Sequence, residues 1–421
     1  MNKKKTIDKK DFQDKEYKDF IMKKIEEFNN NDKKTIVYFC DTFYPIIDGV
    51  IKVMDNYASR LCEKYNMVVV VPKHKKIVVK KDYLVIGVNS LYFKFLNYDL
   101  AFPNLDCFVN KALKKLNIDL IHSHSPFAMG SFAAKIAKKK KIPLVMTMHS
   151  QFKPDFEKHT KSKVLTNFML RNICRVFGKS NEIWTMHEKS KQALQSYGYK
   201  KENFHFVPNA TDYRAPENLE ELRNLANQKY NLGKDELVFL FVGRMVEPKN
   251  IYFLADALNL VKQAGVKFKM FYVGDGPDKK NLTKRIQANN LTEDVIQTGK
   301  IADRNELATI YARSDLFLFA STYDTSSLVQ IEAATYKTPS LLIKDTSTAF
   351  TVTDDVNAYL TELEVETFAN KIIEIVSDLD KLHTIGQNAY RDLYVHWDDV
   401  AIKVSQRYEY LIEKNKELKK K

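Results

Sequence analysis

The chain has 421 residues, 44% of them apolar, with 67 Lys and Arg against 53 Asp and Glu, a net charge of +14. This length suits two domains with sizeable cores, while no apolar run approaches the roughly 18 residues of a spanning helix and the first twenty residues lack the apolar stretch of a secretory signal. Four cysteines, Cys40, Cys62, Cys107 and Cys174, form no CxxC pair; they read as reduced, buried thiols rather than a disulfide frame or metal site. A cytoplasmic protein, soluble or peripheral at the inner face of the membrane, is expected.

The charge is uneven. Residues 1–210 hold 39 basic and 21 acidic residues, a net +18, and the rest hold 28 and 32, a net −4. Such asymmetry points to an anionic surface facing one half, either membrane or nucleic acid, against the plainer reading of lysines that only solvate helices.

Residues 1–33 form a charged N-terminal extension in which Phe20, Ile21, Ile25 and Phe28 make a narrow apolar stripe, compatible with a surface helix or a frayed end. Thr35–Cys40 is the first buried strand. The loop after it holds one glycine, Gly49, next to Asp48, and lacks the G-x-G-x-x-G of a dinucleotide fold. A strand at 66–71, a β-rich aromatic segment at 73–103, a short basic helix at 107–116 and a strand at 119–122 follow. His122, His124 and His149 all fall at strand ends, where ligands bind in open α/β sheets. Their spacing fits no standard zinc set and no metal is expected; a histidine that hydrogen-bonds a substrate fits better, with His149 the leading candidate. Residues 158–179 read as one long helix, basic on one side and apolar on the other, suited either to packing on the sheet or to lying at a membrane interface.

The alternation of strand, loop and helix predicts parallel, doubly wound sheets. An N-terminal domain at 34–208 is followed by a polar linker at 209–235, a second domain at 236–395 and a C-terminal helical segment at 396–421. The second domain opens with the buried strand 237–242. Arg244 and Lys249 lie in the loop after it, placed to reach a diphosphate from two sides. Gly274 sits in the turn after the strand at 268–273, and Lys300 and Ile301 follow the strand at 295–298.

The stretch from Ser314 to Pro339 is strand, Ser-rich turn and helix in that order. Helix N-termini carry unpaired N–H groups and a positive dipole end, so this is an anion site in outline. Ser326 or Ser327 suits the N-cap. Asp324 in the turn and Glu332 in the helix frame it, eight positions apart.

From about residue 35 to 415 the chain resembles the retaining glycosyltransferases of family 4. Carrying the resemblance are Pro45 to Val50, VMTMHS ending in Ser150, VPNATD, FVGRMVEPKN, YVGDGP, the run from Thr298 to Ser321 and the acid-x7-Glu element, all in order. The resemblance implies a GT-B fold, two Rossmann-like domains facing across a cleft, and a nucleotide-sugar donor, UDP-linked on this reading. It also implies roles: Gly49 beneath the donor phosphate, His149 on the transferred sugar, Arg244 and Lys249 on the diphosphate together with the N–H groups of Ser326, Ser327 and Leu328. Gly274 would line the donor site, Glu332 would hold the ribose, and Lys300 and Ile301 would flank the base. Asp324 stands where the family has its first Glu, and Ser326-Ser327-Leu328 replaces the usual F-G-L. The acceptor implied is a lipid or envelope glycan, with an anionic membrane surface as a candidate partner and no cofactor. The other readings are a different GT-B enzyme, such as an epimerase or phosphorylase, and a nucleic-acid binder; no motif supports the last, and no nucleic-acid partner is expected.

Overall fold

Runs of Val, Ile, Phe and Leu such as MVVVV (67–71), LVFLFV (237–242) and LFLF (316–319) are too short for helices and too apolar for an exposed surface, so they settle as strands buried on both faces. The computed structural model describes residues 6–8, 15–44, 49–73, 76–78, 81–93, 98–322, 324 and 327–420. It divides into two units, 1–208 with 397–421, and 209–396.

The first unit runs β1 (Thr6–Asp8), α1 (Lys15–Asn29), β2 (Thr35–Phe39), α2 (Gly49–Leu61), β3 (Asn66–Pro72), β4 (Lys76–Val78), β5 (Leu84–Val88), β6 (Ser90–Phe93), β7 (Tyr98–Ala101), α3 (Cys107–Lys115), β8 (Leu120–Ser123), α4 (Ala128–Lys140), β9 (Leu144–Thr147), α5 (Phe152–Thr160), α6 (Lys163–Phe177), β10 (Glu182–Thr185), α7 (Glu188–Ser196) and β11 (Phe204–Phe206). Its main sheet is parallel, in the order β11-β10-β9-β8-β2-β3-β5. The chain winds outward from β2 to β5, then returns to β8 on the other side of β2. The direction of winding therefore reverses between β2 and β8, and the loops after those strands diverge there.

The second unit runs α8 (Leu219–Tyr230), β12 (Leu237–Val242), α9 (Ile251–Gln263), β13 (Phe268–Val273), α10 (Lys279–Ala288), β14 (Val295–Gly299), α11 (Arg304–Arg313), β15 (Leu316–Phe319), α12 (Leu328–Thr335), β16 (Ser340–Ile343), β17 (Tyr359–Thr361), α13 (Val365–Val376) and α14 (Leu379–Leu393). Its sheet is also parallel, in the order β14-β13-β12-β15-β16-β17, with the reversal between β12 and β15.

Of the two readings of the N-terminal extension, the helix is found over 15–29: α1 buries Tyr17, Ile21 and Ile25 at helical spacing, and the Tyr17 hydroxyl donates to the Val85 carbonyl at 2.6 Å, while Phe20 points to solvent. Three expectations need correction. The stretch 209–235 is no linker, because α8 packs beside α11 and Arg223 donates to the Ala312 carbonyl at 2.9 Å. Residues 158–179 are not one helix; Lys161, at φ +50°, ends α5, and Ser162 caps α6 through the Leu165 N–H. Among the cysteines only Cys40 is buried, and Cys107 is exposed; all four are free thiols.

The last helix, α15 (Trp397–Lys420), returns to the first unit. Trp397 meets Tyr57 edge-on, Tyr408 stacks on Trp184, and the Tyr408 hydroxyl lies 2.9 Å from that of Tyr38. Arg60 pairs with Asp398, and Arg407 with Glu182. Burying a large apolar side chain contributes roughly 1.5–3 kcal/mol, and α15 buries Trp397, Val400, Val404, Tyr408, Leu411 and Ile412. That total rivals the whole stability of a typical domain. Truncation after His396 should therefore leave the first unit without a cooperative melting transition by circular dichroism, whereas truncation after Asn415 should preserve it.

Candidate functional site

In the second unit the site forms where the winding of the sheet reverses. The loop after β12 carries Arg244 and Lys249; the turn after β15 carries Asp324 and leads to Ser327. Lys249 Nζ donates to both carboxylate oxygens of Asp324, each at 2.5 Å, and lies 5.4 Å from the centre of the Phe319 ring. Asn250, held at φ +56°, donates from its side-chain amide to the Ala320 carbonyl at 2.8 Å, a second tie across the same gap. Both charged side chains are about one-fifth exposed. Lys249, expected to reach a diphosphate, is thus bound directly to Asp324. Arg244 is exposed, and among the described residues nothing pairs with its guanidinium.

Ser327 is the N-cap of α12, accepting from the Gln330 N–H at 3.4 Å; Leu328 is the first helical residue. Ser326 lies outside the described residues. Glu332, half-buried, accepts a hydrogen bond from the Tyr311 hydroxyl at 2.8 Å. Tyr311 stacks on Tyr336 and meets Tyr213 edge-on, and the Arg304 guanidinium covers the Tyr213 ring at 5.2 Å while bonding Asp212. Burial, with Glu332 alongside, pushes the Tyr311 phenol far up, so it stays a neutral donor to the carboxylate.

Backbone bonds stitch the loops after β12, β13 and β14 together. Gly243 N–H donates to Val273, Gly274 N–H to Gly299, and Met245 N–H to Asp275. Gly274 sits at φ +141°, and a Cβ there would come within 1.9 Å of the Gly243 carbonyl oxygen, so the position tolerates no side chain. Lys300 is exposed and Ile301 half-buried against the core, directly after Gly299.

In the first unit the equivalent reversal is held by Asp41 and Ser125. Asp41 N–H donates to Ser125 Oγ, whose hydroxyl donates back to the Asp41 carboxylate at 2.5 Å, while the other carboxylate oxygen accepts from Met129 N–H. Gly49 opens α2, and among the described residues nothing lies within 4 Å of where a Cβ would stand; Pro45 and Asp48 of the same loop lie outside the described residues. His122, His124 and His149 do come together. His122 and His124 stack with ring centres 4.2 Å apart, and His124 Nδ1 lies 3.0 Å from His149 Nε2. His122 spans from the Tyr408 hydroxyl, 2.5 Å from Nδ1, to Thr147 Oγ1, 2.7 Å from Nε2. Burial drives all three downward, His149 to about 3, so they are neutral near pH 7. A small pocket of about 120 Å³, lined by Asp41, His124, Ser125, Phe127, His149 and Phe152 among others, opens beside them. Among the described residues no cluster of three or more His, Cys, Asp or Glu is arranged to hold a metal.

Several partners had no signal in the sequence. Tyr311, Arg304, Tyr408 and Ser125 are ordinary helix and loop residues whose roles arise only from contacts across 21 to 286 positions.

Residues 47–214 match the model for Glycosyltransferase Family 4, and residues 223–392 match that for Glycosyl transferases group 1. The chain is a glycosyltransferase built from a family 4 domain and a group 1 domain. It is an enzyme of the hexosyltransferase class. It is 26% identical to the alpha-monoglucosyldiacylglycerol synthase of Acholeplasma laidlawii over 91% of its own length and 99% of the relative's. The enzyme of the same name from Streptococcus pneumoniae is 27% identical over 72% of this chain and 69% of that one. Among solved structures, Anabaena HepE in complex with UDP superposes with a TM-score of 0.73 at 19% identity, over 89% of this chain and 100% of that one. The fold is GT-B.

Two measurements follow from the geometry. A double-mutant cycle on Lys249→Ala and Asp324→Ala, read by calorimetric unfolding of the second unit, should give a coupling of about 1–2 kcal/mol, since contacting partners are not additive; a value near zero would mean that the pair forms only in competition with water. Histidines whose folded-state pKa lies below the unfolded value of about 6.5 support folding above that pH and withdraw support below it. Unfolding of the first unit, which holds both tryptophans, should show stability constant from pH 8 to 7 and falling below 6.5, by up to about 1.4 kcal/mol per pH unit for each buried histidine. His124→Phe should flatten that slope by about one proton.

Proposed function

We propose that the enzyme transfers a hexose from a UDP-sugar, with retention of configuration, to a diacylglycerol-type lipid acceptor at the cytoplasmic face of the membrane. The carrying observation is the cation-and-helix arrangement at the reversal of the second sheet: Lys249 tied to Asp324, Arg244 exposed in the same loop with no partner among the described residues, and α12 opening at Ser327. An anionic leaving group suits such a place. A cation about 4 Å from a phosphate oxygen contributes a gross attraction of about 4 kcal/mol at an effective dielectric near 20, and fixed N–H donors add to it without reorganisation. The UDP and UDP-glucose complexes of HepE support the donor. The near end-to-end match with a monoglucosyldiacylglycerol synthase supports the acceptor.

In this reading Arg244, Lys249 and the first amides of α12 hold the diphosphate. Glu332, fixed by Tyr311, takes the ribose hydroxyls, and Asp324 takes hydroxyls of the sugar once Lys249 has turned to phosphate. The bond from the sugar's anomeric carbon to the diphosphate oxygen breaks through an oxocarbenium-like state. The acceptor oxygen bonds the same face, and its proton passes to the departing phosphate. Neutral His149 is a hydrogen-bond partner for the sugar, since an imidazolium there would oppose the cationic transition state.

Incubation with UDP-glucose and dioleoylglycerol in mixed micelles should yield a monoglycosylated lipid with α configuration by NMR. Thermal shift with UDP-glucose should raise the melting temperature of the wild type, and Lys249→Ala or Glu332→Ala should cancel the rise and cut kcat/KM at least a hundredfold. An unchanged rise in both variants would remove the donor site from this location.

A further inference from the structure

Helix α6 keeps two faces with opposite destinies. Thr166, Leu170, Ile173 and Phe177, spaced 4, 3 and 4, are buried against the unit. Val164, Phe168, Arg171 and Arg175, with the same spacing, form the stripe on the opposite side. Val164 is 82% exposed and Phe168 62%, with Leu165 beside them at 46%. A helix that merely packs on a sheet sends its apolar residues inward, so three large apolar side chains outward on adjacent turns are unexplained by the fold.

The charge around them is of one sign. No acidic residue occurs between Glu157 and Glu182, whereas Lys161, Lys163, Arg171 and Arg175 are exposed in that span. Among the described residues no carboxylate pairs with any of these four. The unit as a whole, residues 1–208 with 397–421, carries 46 basic and 26 acidic residues, net +20. Topology also places the helix. It carries the chain from the edge of the sheet that holds the histidine cluster back to the start of β10, so Val164, Leu165 and Phe168 lie toward that edge.

We infer that the outward face of α6 is a docking surface for an anionic lipid bilayer, with Val164, Leu165 and Phe168 entering the interface and Lys161, Lys163, Arg171 and Arg175 meeting the headgroups. This rests on the lipid-acceptor reading above and adds where the membrane sits. The combination of an apolar wedge and unpaired cations is what an interfacial helix presents. A second copy of the chain fits poorly, because a symmetric contact would set these cations against themselves.

The test is co-sedimentation of the full chain with sucrose-loaded vesicles, either phosphatidylcholine alone or with 30% phosphatidylglycerol, at 50 and 500 mM NaCl. The wild type should partition at least tenfold better onto the anionic vesicles at low salt. Val164→Ser/Leu165→Ser/Phe168→Ser should lose at least tenfold, and Arg171→Gln/Arg175→Gln about fivefold per charge removed. Both variants should keep the wild-type melting temperature and its UDP-glucose shift, because every altered side chain is outward. Binding by the triple variant equal to wild type, equal partition onto neutral vesicles, or self-association that α6 substitutions abolish would overturn the inference. If vesicle binding fails while the UDP-glucose shift and transfer in micelles persist, this surface is wrong and the enzymatic reading stands; vesicle binding without any donor shift is the opposite result.

Discussion

The ion pair between Lys249 and Asp324 is the contact that closes the reversal of the second sheet. It spans the one place in the second sheet where neighbouring strands send their loops apart. A parallel sheet cannot avoid such a place: once the chain has wound outward through β13 and β14, the next strand must return beside β12. The gap that results exposes the carboxyl ends of two buried strands and the start of a helix. Two short ties, Lys249 to Asp324 and Asn250 to Ala320, hold its walls at a fixed separation. The first unit closes its reversal without a cation, through a Ser125 hydroxyl shared with the Asp41 backbone and carboxylate. One reversal is therefore closed by an ion pair whose cation a phosphate can draw away, and the other by neutral donors on a carboxylate.

The histidine cluster shows how the end of the chain supports a site built near its beginning. Tyr408 of α15 reaches His122 Nδ1, and His122 in turn fixes Thr147 and stacks beneath His124, which meets His149. Each ring is kept neutral by burial, so the stack is a hydrogen-bonding scaffold and not a store of charge. It also explains why α15 belongs to the first unit: without Tyr408 the lowest ring of the stack would bury an unpaired nitrogen.

Much of this was legible in the sequence because it is local. Strands announced themselves as short apolar runs, and the strand before Asp324 and the helix after it lie within the stretch read as strand, turn and helix. Residue type offered Ser326 or Ser327 as the cap, and the structure has Ser327. What was hidden is non-local or unpunctuated. Nothing near Lys249 shows that it meets a residue 75 positions on. The break between α5 and α6 has no glycine or proline, only a lysine in the left-handed region. Helix α8 reads as a linker because LEELRNLANQKY buries little beyond Ala226 and is polar throughout most of its length. The C-terminal helix gives no hint of which unit it joins.

The shorter acid at position 324 gains its meaning from the pair. With Lys249 at 2.5 Å from both oxygens, the two side chains cancel each other, and the standing attraction for an anion falls to Arg244 and the start of α12. A diphosphate brings two charges and can draw Lys249 away from a single carboxylate. The carboxylate so released gains an unpaired acceptor in a site four-fifths shielded from water, where leaving it unsatisfied is costly. In the proposed function, sugar hydroxyls are the donors at hand. On that reading diphosphate binding and sugar binding are one coupled event, and a donor lacking either half forfeits more than the contacts of that half alone. A glutamate would carry its oxygens one methylene farther from the β15 turn and alter that coupling, so on the same reading the identity of the acid bears on which sugar is accepted as well as on how tightly it binds.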